Sequence, residues 1–367
     1  MKKLVSLIIS VFILSNTFSV YAYNTSAKAA VVINADTGEV LYSQNPNERL
    51  PMASTTKIMT ALLLCELGGD LTTEIITTRE MVTVEGSSMG LQVGDRVSYR
   101  DLLYGMILAS GNDAANTAAI ALAGSISGFA KLMNDRAAKM GLVNTHFVTP
   151  SGLDADGHYT TAYELAIITK EALENVELVK AASSRTEKLC YGNPPYNRTL
   201  TNHNKLLKMY DDIVGVKTGF TKKAGRCLVS AAKKDGKFVI AVTLNDANDW
   251  KDHRALLDLG LSLIECKVFS PQDNGVPICD VNNNLIMVRI PSTSINVTDK
   301  SKVNYVINLP RFLYTPINSK QQIGSINYYC NDTLICELPI TAAENIKSNH
   351  NNFILLYEIF KSILSKI

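Results

Sequence analysis

Residues 29–34 form a short apolar run, 36–38 a polar Asp-Thr-Gly turn, and 40–42 a second apolar run, which is the pattern of a β-hairpin. Residues 54–67 then read as a helix that starts on small hydroxyl residues, expected to cap it, and stops at Gly68-Gly69. That segment is apolar nearly all round, so it is expected to lie buried inside a large domain. Helical patterns follow over 99–141 and 161–182, and strand patterns over 226–232 and 237–244 on either side of Asp235-Gly236. One more helical pattern covers 254–265. A hairpin, many helices and then more strands predict an α+β domain with helices covering an antiparallel sheet.

Near Ser270-Pro271 the pattern changes. Short alternating runs at 285–290, 303–309, 323–329 and 334–340, punctuated by Asn, Asp, Pro and Ser, predict a small all-β domain. Residues 343–352 read as a polar linker. In 353–367 the polar residues Glu358, Lys361, Ser362 and Ser365 share one narrow helical stripe and, Lys366 aside, the remainder is apolar. That stretch is too short to span a bilayer, and is expected to be an amphipathic helix on a membrane surface; a helix docked on the β domain is the alternative. At the other end, Met1-Lys2-Lys3, an apolar run over 4–14 broken only by serine, and Val20-Tyr21-Ala22 make up a secretory signal peptide. The expected division is a signal peptide (1–22), an α+β domain (23–268), a β domain (269–342), a linker (343–352) and an amphipathic helix (353–367). The protein is accordingly expected to be exported.

Charge and composition narrow the function. The formal charge is +2, from 36 basic and 34 acidic residues, and removing 1–22, with its two lysines and no acid, takes it from +2 to 0. A nucleic-acid partner would call for a basic excess, and there is none. With 46% hydrophobic and 19% charged residues the chain can bury a sizeable core, which excludes global disorder. Seven scattered cysteines make no disulfide scaffold, and neither Cys-x-x-Cys nor His-Glu-x-x-His occurs, so no metal site is expected. The odd count leaves at least one thiol unpaired in a monomer. Cys65, inside the apolar helix, is expected to be a buried free thiol.

Three short motifs carry chemistry. Ser54-x-x-Lys57 puts a hydroxyl and an amine on one helical face. A serine needs a base to become a nucleophile, and a lysine becomes one when burial and a second cation lower its pKa. Free N–H groups at a helix start can steady an oxyanion. Ser230-x-x-Lys233 has the same spacing, but in a strand pattern those side chains point to opposite faces. Ser110-Gly111-Asn112 falls on a tight loop between two helical runs, where a hydroxyl and an amide can face a cleft; the same Ser-x-Asn spacing at 294–296 and 325–327 shows that the tripeptide alone decides nothing. Lys217-Thr218-Gly219, after an apolar run, reads as an edge strand whose lysine and threonine can hold a carboxylate and whose glycine admits substrate to the backbone.

In this order the three motifs resemble the signature of the penicillin-recognising serine enzymes, and most of all the D-alanyl-D-alanine carboxypeptidases among low-molecular-weight penicillin-binding proteins. The resemblance runs through residues 51–57, 90–95, 110–115, 151–153, 158–162 and 217–221. It covers residues 27–268 closely, and the rest by position and character. It implies a β-lactamase/transpeptidase-like catalytic domain, then a small β domain and a membrane-attaching helix. The implied reaction is release of the terminal D-alanine from peptidoglycan stem peptides, at the outer face of the cytoplasmic membrane or in the cell wall, with β-lactams as covalent inhibitors. In that scheme Ser54 attacks, Lys57 takes its proton, Ser110 relays a proton to the leaving amine, and Asn112 positions Lys57 and the substrate amide. Lys217 supplies positive potential, Thr218 holds the carboxylate, and Gly219 belongs to the same substrate-binding strand. The oxyanion sits between the N–H groups of Ser54 and Phe220. No cofactor has a role.

Two rivals are distinguishable. A class A-like β-lactamase would carry Glu-x-x-Leu-Asn between the second and third motifs; Glu164, Glu171 and Glu174 are the nearest glutamates and none fits. A non-catalytic cell-wall peptide-binding protein would be expected to lack the nucleophile or the base, and both are present. His158 is expected to support the cleft loop and His203 to be structural. Arg254 is a weak candidate for the carboxylate and is expected to be a surface charge.

Overall fold

The computed structural model describes residues 23–277, 285–347 and 357. The expected signal peptide and, Tyr357 aside, the expected terminal helix lie outside the described residues, as do 348–352 of the expected linker.

The hairpin forms as read, from β1 (Ala29–Asn34) and β2 (Val40–Gln44). A 3₁₀ turn (Ala53–Thr56) leads into α1 (Lys57–Leu67), followed by β3 (Glu74–Ile76), α2 (Arg79–Val82) and β4 (Arg96–Ser98). Next come α3 (Tyr99–Ile107), α4 (Asn112–Ala123), α5 (Ile126–Lys139), α6 (Ala162–Ala172) and α7 (Val176–Ser183). A hairpin of β5 (Thr186–Gly192) and β6 (Pro195–Thr201) and a short α8 (Leu206–Met209) precede β7 (Ile213–Thr221), β8 (Gly225–Lys234), β9 (Lys237–Leu244) and α9 (Asp249–Leu263).

The central sheet has the order β2-β1-β9-β8-β7 and is antiparallel throughout. Strand periodicity explains how it is covered. Ala29, Val31 and Ile33 of β1 join the core beneath α1, α3 and α6, whereas Ala30 and Val32 join a second core with Leu256, Leu257 and Leu261 of α9. Every residue of β1 is buried because helices cover both faces, which is why its sequence is continuously apolar, rather than alternating, as far as Asn34. Gly260 lets α9 approach closely, since a Cβ there would lie 2.8 Å from Val32.

Three expectations change. The hydroxyls before α1 do not cap it; Thr55 Oγ1 and Thr56 Oγ1 donate to the carbonyls of Met52 and Ala53, building the 3₁₀ turn that places Ser54 ahead of the α-helix. The helix expected over 254–265 starts earlier, because Asp249 and Trp250 already turn helically. The β5–β6 hairpin was not anticipated, since its strands are mostly exposed and their polar, mixed composition masks the alternation.

The β domain is built from β10 (Glu265–Phe269), β11 (Asn274–Pro277), β12 (Leu285–Arg289), β13 (Thr293–Val297), β14 (Val303–Asn308), β15 (Gln322–Cys330) and β16 (Thr333–Ala342). Five of them form a sheet in the order β11-β12-β16-β15-β14, while β10 pairs with β13. Thus β10 runs through the expected boundary at 268/269. The β1–β2 hairpin holds this domain: Asn296 Nδ2 donates to Asp36, and Thr298 and Ser301 hydroxyls donate to the Glu39 carboxylate at 2.9 and 2.6 Å. Among the described residues no helix is long and apolar enough to cross a membrane, and the described cysteines, including half-buried Cys65, are free thiols.

Candidate active site

The 3₁₀ turn, the α3–α4 loop and strand β7 converge on a cleft of about 300 Å³ lined by Ser54, Ser110, Thr218, Gly219 and Phe220. Lys57, one helical turn after Ser54, is fully buried. The Lys57 Nζ lies 3.0 Å from Ser54 Oγ and donates to Asn112 Oδ1 at 2.7 Å and to the Ser151 carbonyl at 2.6 Å. Burial, and then the nearby positive charge of Lys217, hold this amine well below the ordinary lysine range, with the Asp113 carboxylate acting in the opposite direction. A neutral amine at hydrogen-bond distance from a serine hydroxyl can act as its base.

Across the cleft, Lys217 is also buried, and its Nζ donates to Ser110 Oγ at 3.0 Å and to the Thr218 carbonyl. Burial lowers its pKa to about 7. Ser110 has φ +56, a left-handed conformation uncommon for a non-glycine residue, and it is this backbone that carries its hydroxyl to Lys217. β7 is the edge strand of the sheet, as read from the sequence. A Cβ on Gly219 would lie 3.0 Å from the Ser54 nitrogen and 3.1 Å from the Thr55 nitrogen, so only glycine lets the strand lie this close to the Ser54 backbone. Phe220, two-thirds exposed, stands at the mouth.

Asn112 is anchored from several sides. Its side-chain amide donates to the Glu85 carbonyl at 2.6 Å and its backbone N–H to Ser87. The adjacent Asp113, fully buried, accepts from Ser88 Oγ and from the N–H groups of Met89, Gly90 and Leu91. The unanticipated β5–β6 hairpin completes this support: Arg198 donates to the carbonyls of Met89 and Gly90, and Tyr191 OH to Met89.

These contacts are a chemical description; comparison with other proteins supplies the lineage. Residues 16–248 match the D-alanyl-D-alanine carboxypeptidase peptidase family, and residues 290–348 match the C-terminal domain of penicillin-binding protein 5. The chain belongs to the D-alanyl-D-alanine carboxypeptidase family. It is therefore a serine-type peptidase. It is 32% identical to D-alanyl-D-alanine carboxypeptidase DacF of Bacillus subtilis, across 95% of both chains. It is 34% identical to DacB2 of Mycobacterium tuberculosis, covering 65% of this chain and 83% of that one. Among solved structures, it resembles the carboxypeptidase DacD of Francisella tularensis, with a TM-score of 0.65, 26% identity and coverage of 89% and 95%. A variant of a Streptomyces DD-transpeptidase superposes with a TM-score of 0.63 at 30% identity, covering 66% of this chain and all of that one.

The β-lactamase reading loses its remaining support. Glu164 accepts from Asn144 N–H and Thr145 Oγ1, Glu171 pairs with Arg136, and Glu174 pairs with Lys170, so all three are engaged elsewhere. His158 supports the loop as expected. Its Nδ1 accepts from Val148 N–H, so Nε2 carries the proton toward Thr56 Oγ1, which itself donates to Ala53. His203, expected to be structural, lines the cleft, and burial followed by the Lys217 charge lowers its pKa. Arg254 is not a carboxylate ligand or a free surface charge; Asp212 and Asp258 occupy its guanidinium. The arginine on the cleft is Arg226, paired with Asp249 at 2.6 Å beside Trp250. Sequence spacing could not locate it, because it lies 172 residues after Ser54 and is brought there by sheet register opposite Phe220. The Ser151 carbonyl was missed for a different reason: any residue type could supply it.

Proposed function

We propose that the enzyme removes the terminal D-alanine from peptidoglycan stem pentapeptides through an acyl-enzyme on Ser54. Ser54 Oγ attacks the carbonyl carbon between the two D-alanines while its proton passes to the neutral Lys57 Nζ. The oxyanion lies between the N–H groups of Ser54 and Phe220, which the close approach of Gly219 to the turn favours. As the tetrahedral intermediate collapses, the C–N bond breaks and the leaving amine takes a proton from Ser110, which recovers one from the Lys57 ammonium, so that Lys57 is neutral again for deacylation; Lys217 holds the Ser110 hydroxyl in place. Asn112 keeps Lys57 aimed at Ser54 and hydrogen-bonds the substrate amide. Lys217, Thr218 and the nearby Arg226 give the free carboxylate its positive, hydrogen-bonding seat. Water then attacks the ester, its proton goes to Lys57, and Ser54 is regenerated. A β-lactam is attacked at its strained amide in the same way, and its leaving nitrogen stays tethered.

The observation that carries this reading is the fully buried Lys57 amine 3.0 Å from Ser54 Oγ, with a second cation opposite it. Intact mass spectrometry after penicillin exposure, with peptide mapping, tests it: the adduct is expected on Ser54 and absent from Ser54→Ala. D-alanine release from diacetyl-lysyl-D-Ala-D-Ala is expected to exceed nitrocefin turnover; the reverse ranking would restore the β-lactamase reading, and no labelling at all would favour a binding protein. We also read the chain as exported to the outer face of the cytoplasmic membrane or the cell wall, on the strength of 1–22. The expected catalytic unit (23–268) and β unit (269–342) would meet with β10 astride their boundary, and 343–352 would link to 353–367 on the membrane surface.

A further inference from the structure

The β domain exposes two aromatic rings that its fold does not need. Between β14 and β15, the segment 309–321 leaves the sheet and returns. Leu309 and Leu313 pack against the β-domain core and Ile317 is buried within it. Between those anchors Phe312 is 48% and Tyr314 69% exposed, their rings edge to face at 5.5 Å. The loop is therefore pinned at three points and presents a fixed aromatic tip, an arrangement with no internal use and one that favours a partner. Arg311 beside the tip and Lys320 are exposed, and 309–321 contains no acid.

Chain geometry says what lies nearby. Ile317 and Ile346 form a two-way backbone bridge, N–H to carbonyl at 2.9 and 2.8 Å. The chain thus leaves the β domain toward 353–367 beside the base of this loop. Tyr314 is three residues from Ile317, so it lies within about 11 Å of that exit, and Phe353 is at most about 25 Å of extended chain beyond it. We infer that the Arg311–Phe312–Tyr314 tip is a second membrane-contact element, seating the β domain on an anionic lipid surface beside the terminal segment. Aromatic rings prefer the headgroup level of a bilayer, and adjacent cations are drawn to anionic lipid. One short amphipathic segment alone binds reversibly, so a second contact both strengthens attachment and sets the domain's orientation.

This inference deepens the membrane-surface reading of 353–367 and rests on it. The test uses the full chain and vesicles of phosphatidylglycerol or of phosphatidylcholine alone. Phe312→Ser with Tyr314→Ser is expected to weaken binding to phosphatidylglycerol vesicles about ten-fold, and Arg311→Ser about five-fold at low salt, with hydrolysis of a soluble tripeptide unchanged. An indole introduced by Phe312→Trp, with Trp250→Phe to remove the native one, is expected to be quenched by brominated lipid. Unchanged binding of the loop variants, with loss on Ile359→Glu plus Ile363→Glu, overturns the loop contact and leaves the terminal-segment reading intact. No binding by the unaltered chain overturns both. A dimer that the loop substitutions dissociate, with vesicle binding unaffected, would assign the tip to a second copy and overturn the inference.

Discussion

Gly152 offers a test of the idea that the position of Ser54, the proposed nucleophile, is set by a turn distant in sequence. Its φ is +81, and a Cβ added there would lie 1.9 Å from the Ala53 carbonyl oxygen, 2.5 Å from its carbon and 2.8 Å from Thr56 Oγ1. Real Cβ atoms essentially never approach within 3.0 Å, so Gly152→Ala must separate the two turns by roughly 1 Å, a displacement that costs on the order of 10²-fold in a positioned reaction. One of those turns carries Ser54 and the other supplies the Ser151 carbonyl that holds Lys57. The left-handed backbone adds about 1–2 kcal/mol of strain for alanine. Gly157 separates the two effects: its φ is +79, but its Cβ would meet nothing nearer than 3.7 Å. Both variants are therefore expected to lose stability, while only Gly152→Ala loses the second-order rate of penicillin acylation, by about 100-fold per folded molecule. Folded fraction is read from thermal melting and acylation from stopped-flow or intact mass. If Gly152→Ala acylates within a few-fold of Gly157→Ala, the turn does not position Ser54 and the reasoning fails.

Other outcomes follow from the same contacts. For the peptide substrate, kcat/KM should fall on the acid side as Lys57 gains a proton, and on the alkaline side as Lys217, near 7 in the free protein, loses its charge. Lys217→Arg, which stays charged, should remove the alkaline limb whatever it does to the maximum; a limb that persists would assign it to another group. Asp113→Asn should move the acid limb to lower pH, because the Asp113 charge favours protonated Lys57, and should raise KM as an amide NH2 replaces one of the two oxygens that hold the 88–91 loop. An unmoved limb would show that Asp113 does not act on Lys57. Gly219→Ala, whose Cβ meets the backbone of 52–55 at 3.0–3.1 Å, should cost about ten-fold in acylation with melting little changed; wild-type acylation would show that the strand can yield without disturbing Ser54.

Much of this molecule was legible from residue order alone. The β1–β2 hairpin, the buried α1, the helical stretches over 99–141 and 161–182, the β8–β9 pair and four strands of the β domain, β12, β14, β15 and β16, announce themselves by periodicity, because burial of one face or both dictates where apolar residues recur; the short β10, β11 and β13 do not. The meeting of Ser54, Lys57, Ser110, Asn112 and Lys217 at one cleft was also to be expected, from the order of the three motifs and the family they resemble, since the Ser-x-x-Lys and Ser-x-Asn spacings taken alone recur elsewhere in the chain. Local sequence could not convey what depends on segments far apart meeting. Whether Lys57 is neutral is decided by burial, by Lys217 across the cleft and by Asp113, none of which its own helix specifies. The Ser151 carbonyl, the Arg198 brace and the cleft position of Arg226 escaped for the same reason: a backbone oxygen has no residue signature, and an arginine's partner is chosen by sheet register and loop packing. Residue types determined which groups could react, and the packing of three distant segments decided which proton each one holds.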